Sequence, residues 1–125
     1  MKSFTFALAV ITLIASPALA QHAHGSKGPN GGPMEDVAGV HAELIVAGNN
    51  VTINVLDEKT KPVATKGYSG SVLIVSGANR ETVALEPFGA AALKGAAKSP
   101  VPTGSSISLV LKTDSGKSGQ VRFKP

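Results

Sequence analysis

Between Val40 and Lys124 the apolar residues recur mostly at every second position, in runs of six to eight closed by Gly, Asn or Asp. That period matches a β-strand, whose side chains alternate between the two faces of a sheet, and it fits no helix. Val51-Thr52-Ile53-Asn54-Val55-Leu56 is the cleanest instance, with Val51, Ile53 and Val55 on one face. Val40 to Ala47 precedes it across Gly48-Asn49-Asn50, so the two runs are expected to pair as a hairpin. Ser71 to Ser76 and Arg80 to Leu85, joined by Gly77-Ala78-Asn79, predict a second hairpin. Ile107 to Lys112 and Ser118 to Lys124 predict two more strands across Thr113 to Lys117. Val63 to Tyr68 reads as a short edge strand beyond Pro62, and Ala90 to Lys94 as a turn or two of helix between Gly89 and Gly95. The expectation is an all-β chain, an antiparallel β-sandwich (Ig-like) of six or seven strands over residues 40–125. A Greek key is one candidate order for them.

The amino terminus reads differently. Met1-Lys2-Ser3 gives a positive start, Phe4 to Ala15 a twelve-residue apolar stretch, and Ala18-Leu19-Ala20 the small residues of a cleavage site. Twelve residues fall short of the roughly 20 needed to span a bilayer, so residues 1–20 read as a signal peptide cut before Gln21. The mature chain is then expected to be soluble, exported and without membrane insertion. Residues 21–39 are rich in His, Gly and Pro and read as a flexible, irregular segment, because Gly28, Pro29, Gly31, Gly32 and Pro33 interrupt both helix and strand.

Composition removes several function classes. The 125 residues contain no Cys, which excludes disulfides, thiolate metal sites and a Cys nucleophile. The net charge of +4 falls to +3 once Lys2 leaves with the leader, and the remaining lysines are scattered. Tyr68, Phe88 and Phe123 are the only aromatics of the mature chain, so stacking platforms for nucleic acid are lacking and no nucleic-acid partner is expected. Gly116-Lys117-Ser118 has Leu111 where a phosphate-binding loop needs its first glycine, and Gly67-Tyr68-Ser69-Gly70 lacks the spacing of a nucleophile elbow. Asn50-Val51-Thr52 is a glycosylation sequon, relevant only in a eukaryotic secretory pathway. Glu35, Asp36, Asp57, Glu58, Glu81, Glu86 and Asp114 read as solvated surface. No catalytic residue is identified and no enzyme is expected.

The histidines are the exception. His22, His24 and His41 all lie within the first 21 positions after the expected cleavage. A His-x-His pair on an unstructured backbone can turn two neutral imidazoles onto one ion, and imidazole suits Cu(II), Ni(II) and Zn(II). On a strand, His41 and Glu43 project from one face about 7 Å apart at Cα. The candidate metal ligands are therefore His22, His24, His41 and Glu43, with Met34 as a soft donor for Cu(I). The bland alternative is a solvated tail beside an ordinary polar strand face.

A resemblance bears on this choice. The leader, His22-x-His24, Gly28-Pro29-Asn30-Gly31-Gly32 and Gly39-Val40-His41-Ala42-Glu43-Leu44 resemble a group of small, mostly uncharacterised bacterial periplasmic proteins. A similar His/Gly-Pro-x-Gly-Gly…Glu-Leu stretch occurs in adaptor subunits of heavy-metal efflux pumps. Asp57…Lys61-Pro62-Val63, Glu81 to Leu85 and Gln120 to Phe123 resemble the small proteins as well. The resemblance implies a periplasmic protein that binds or buffers a transition metal (copper, zinc or nickel), with no organic cofactor. It also implies a place as accessory to copper, zinc, nickel or cobalt efflux or resistance, with a periplasmic efflux component as partner. The chain shows no helical hairpin of the adaptor kind, so it is not expected to be the adaptor itself. The alternative is a non-catalytic interaction module of the envelope with no metal role.

Overall fold

The computed structural model describes residues 26–123. Among these there is no helix, and nine strands run in chain order: β1 (Ser26–Lys27), β2 (Pro33–Val37), β3 (Val40–Ala47), β4 (Asn50–Leu56), β5 (Ser69–Ser76), β6 (Asn79–Phe88), β7 (Ala92–Ala96), β8 (Ser106–Lys112) and β9 (Ser118–Phe123). Every pairing is antiparallel, in the order β1-β2-β3-β4-β7-β6-β5-β8-β9. The all-β class follows from the alternation, and the three expected hairpins form at β3/β4, β5/β6 and β8/β9. Strands β5, β6 and β7 follow one another and β8 returns beside β5, so the spatial order β8-β5-β6-β7 is a Greek key.

Strand β6 joins the two parts of the sheet. Residues Asn79 to Leu85 pair with β5, whereas Glu86, Pro87 and Phe88 pair with Lys94, Leu93 and Ala92 of β7. Curling about β6 brings β9 over the end of β2, where Gly119 faces the Val37 side chain and the Ala38 backbone. The enclosed core holds Val51, Ile53 and Val55, each fully buried, with Val72, Leu93, Leu109, Leu111 and Phe123 from the other strands.

Three expectations are corrected, and together they account for the larger number of strands. The segment 21–39 is not irregular where it is described, because Gly and Pro crowd only the turn at 28–32 and Met34-Glu35-Asp36-Val37 continues as strand beyond it. Pro33 opens β2, a position where its missing N–H is tolerated. The helix at Ala90 to Lys94 gives way to β7, since Leu93 pairs with Ile53 and lies fully buried, and tertiary pairing overrides an alanine-based preference. Val63 to Tyr68 is not a strand; a lone bridge joins Leu56 to Pro62, and Val63 N–H donates to the Val55 carbonyl.

The turn after β4 is built by Asp57, whose Oδ1 accepts the backbone N–H of Lys59 at 2.8 Å and of Lys61 at 2.9 Å. The Lys61 N–H contributes most to holding this carboxyl below 3.8, its ordinary value, with the Lys59 N–H and both lysine charges adding to it. A depressed carboxyl stabilises the fold above its unfolded value and loses that contribution as pH falls through its folded value. A carbon-detected NMR titration is therefore expected to place the Asp57 midpoint below 3.8, and D57N to flatten this part of the acid limb. A midpoint at or above the ordinary value would refute this account of the turn.

Candidate functional site

The outer face of β3 and β4 is set by the parity of the strand. Ala42 and Leu44 point into the core, so His41 and Glu43 share the opposite face as the sequence predicts. That face is not left open. The chain leaves β1 at Lys27, turns through Gly28 to Gly32 and returns as β2, with Gly28 N–H donating to the Gly32 carbonyl at 2.8 Å. This loop lies over Glu43.

Glu43 is wholly inaccessible to solvent. Its Oε2 accepts the backbone N–H of Asn30 at 2.8 Å and of Gly32 at 3.0 Å. Its Oε1 accepts Nδ2 of Asn30 at 2.8 Å and Nδ2 of Asn54 at 3.4 Å. Four N–H donors thus surround one carboxyl group, which removes most of the cost of burying it. The glycines make the approach possible. A Cβ on Gly28 would lie 2.6 Å from Glu43 Cγ, and one on Gly32 would overlap the Leu44 carbonyl and lie 2.7 Å from Ile45 Cδ1. Met34, opposite Glu43 on β2, is almost buried at 9% exposure.

His41 sits one row further along. Val37-Ala38-Gly39-Val40 forms a two-residue hairpin with positive φ at Ala38 (51°) and Gly39 (82°), the primed turn that suits strand twist. Val37 and Val40 are therefore a hydrogen-bonded pair, and Asp36 and His41 are the closer, non-hydrogen-bonded pair that follows. Their side chains meet, Nδ1 of His41 against Oδ1 of Asp36. His41 is 24% exposed and Asp36 76%. A proton held on Nδ1 by a carboxylate leaves the Nε2 lone pair for another partner. Asp36, Gly39, Val40, His41 and Glu58 line a shallow cavity of roughly 170 Å³ there.

Of the four expected ligands, the structure places His41 and Glu43 on one face but gives them separate surroundings. His22 and His24 lie outside the described residues, as does the leader. Among the described residues no cluster of three His, Asp or Glu side chains is arranged to hold a metal ion. Asp36, a solvated surface residue on the sequence reading, is the partner of His41. Nothing in the sequence marks Asn30 and Asn54 as partners of Glu43, although Gly28-Pro29-Asn30-Gly31-Gly32 signals a tight loop. On the far side of Asn30 and Asn54 a cleft of roughly 460 Å³ is lined by Pro29, Leu56, Pro62 and Phe88. Phe88 is 55% exposed, with Lys94 Nζ 4.6 Å from its ring centroid.

No protein-family model matches the chain, and neither a curated protein nor a solved structure matches it.

Proposed function

We propose that this is an exported periplasmic protein that captures a transition-metal ion and serves as an accessory to heavy-metal efflux or resistance. The observation that carries the reading is the Asp36–His41 contact, the arrangement in which a carboxylate orients a metal-binding imidazole through its second nitrogen. His41 offers Nε2 from the folded face, and His22 and His24 supply the remaining imidazoles from the segment that leads into β1. Glu43 is left out of the ligand set, because an ion would have to displace four N–H donors to reach it. The chemistry is ligand exchange, with Cu(II) bound most tightly among the divalent ions.

Imidazole binds metal only when neutral, so affinity is expected to fall as pH drops through about 6.5. Competition titrations of the untagged protein with Zn(II) and Cu(II) test the assignment. H41A is expected to weaken binding by at least about tenfold, D36N by about tenfold through loss of orientation, and combined H22A and H24A to remove most of what remains. Unchanged affinity in H41A would reduce the site to a tail chelator, and no saturable binding of either ion would end the metal reading. The exposed Phe88 beside its cleft favours a second reading, an envelope interaction module. Loss of a captured partner in F88A, with the triple histidine variant unaffected, is the outcome that would select it.

A further inference from the structure

We infer that the wedge between the start of β2 and the end of β9, roofed by the chain from Pro100 to Ser105, binds a small, uncharged, mainly aliphatic molecule with one hydroxyl-like polar group. The inference is independent of the metal reading, because the wedge lies between inward faces of the sheet and His41 stands on an outward one. Strand β9 ladders to β8, and among the described residues no ladder joins it to β2. The two strands still meet at one end, where a Cβ on Gly119 would lie 3.0 Å from the Ala38 nitrogen and 3.2 Å from Val37 Cγ2. Further along they part, and Pro33 of β2 and Phe123 of β9 line a cavity of roughly 400 Å³. Leu44 and Val46 of β3 and Ile107 of β8 line it as well, so it reaches the edge of the core.

The roof is fastened at both ends. Val101 N–H donates to the Gly48 carbonyl at 3.0 Å and Ala97 N–H to the Asn49 carbonyl at 2.8 Å, which ties this segment to the β3–β4 turn. Beyond it, Ser105 N–H and Oγ–H both donate to the Pro102 carbonyl, at 3.2 and 2.6 Å, around Gly104 with its φ of 82°. The cavity is thus built by bonded turns and ladders. Val46 marks its open side. It follows Ala42 and Leu44 on the inward face of β3, and its ladder partner Val51 is fully buried, but Val46 is 38% exposed. An apolar group entering the wedge covers that surface.

The lining selects the ligand. No charged side chain contributes to it, so an ion would give up its water with nothing to pair against. Phe123 is the one aromatic among prolines and aliphatic side chains, which favours a flexible hydrocarbon over a flat ring. Thr103 and Ser105 supply the polar groups, and the Ser105 oxygen can still accept a hydrogen bond. Apolar walls with a few polar groups, at about 300–1,000 Å³, are the usual make-up of a small-molecule site. The volume holds about a dozen non-hydrogen atoms at about 30 Å³ each, water's share in the liquid. A medium-chain alcohol such as 1-decanol fits both requirements.

Methyl NMR titration of the native protein with 1-decanol tests this. Saturable shifts are expected at Leu44, Val46 and Ile107, with Leu56 in the Phe88 cleft unmoved. The decanoate anion is expected to bind at least about tenfold more weakly, for want of a cation. V46W fills the wedge and is expected to weaken 1-decanol binding by at least about tenfold without lowering the urea midpoint, whereas F88A leaves binding unchanged. No saturable shift in the native protein overturns the site, whatever the variants do. Shifts at Leu56 with loss of binding in F88A move the ligand to the other cleft and overturn it too. Equal affinity for decanoate overturns the uncharged class.

Discussion

E43A is expected to lower the stability of the folded domain by about 3–5 kcal/mol, read as a shift of the urea midpoint at unchanged slope. The size follows from what is left behind. Asn30 N–H, Gly32 N–H and the two Asn Nδ2 groups all converge on this carboxyl, and alanine satisfies none of them. Unpaired buried donors cost roughly 1–3 kcal/mol each unless water reaches them. The loop can lift to admit water, which relieves part of the loss but gives up the β1–β2 pairing. E43Q keeps the shape but not the chemistry. Each oxygen accepts two donors, so an NH2 in place of Oε2 meets two backbone N–H groups, and one in place of Oε1 is accepted only if Asn30 and Asn54 turn their Oδ1 atoms toward it. A loss of about 1–2 kcal/mol, smaller than that of E43A, is expected for it. With total stabilities of about 5–15 kcal/mol typical of such domains, either change is a large fraction of the whole. A loss below about 1 kcal/mol in E43A would mean that the loop does not depend on this carboxyl.

Ile53 and Glu43 both point where strand parity sends them, but only Ile53 announces its surroundings locally. With Val51 and Val55 it marks an inward face through alternation along a single short run. The three hairpins are equally local, since their turns stand between the runs they join. Glu43 has the same alternation as its neighbours, but its partners Asn30 and Gly32 are 13 and 11 residues away across a loop. No periodicity reports such a contact. The glycines of that loop are visible as breakers, but that two of them make room for a carboxyl group and a strand carbonyl depends on what lies beneath. Ala92 to Ala96 is the opposite case. Its local preference is helical, and its place in the sheet comes from pairing with β4, about 40 positions upstream, as well as with nearby β6. Asp36 is legible as a strand residue only once Pro33 is recognised as a strand opener rather than part of the breaker run.

Gly32→Ala is expected to cost about 3 kcal/mol, and its behaviour beside Gly28→Ala separates two kinds of close approach. At Gly32 the added Cβ meets the Leu44 carbonyl, a backbone atom of a central strand whose residue pairs with Ile53. That carbonyl cannot retreat without disturbing the β3–β4 ladder, so the loop must rise instead. At Gly28 the nearest atoms to an added Cβ all belong to the Glu43 side chain. Shortening that side chain removes the obstacle. In the E43A background Gly28→Ala is therefore expected to cost at least about 1 kcal/mol less than in the native protein, whereas the Leu44 overlap remains for Gly32→Ala. Gly31 supplies the control: nothing lies within 4 Å of its added Cβ, but its φ of 83° makes Gly31→Ala a backbone penalty of about 1 kcal/mol that Glu43 does not alter. Equal coupling of Gly28 and Gly32 to Glu43 would show that the loop lifts as one body when the carboxyl is lost. Coupling at Gly28 alone would show that the backbone stays seated on β3, with the carboxyl filling space that only a glycine leaves open.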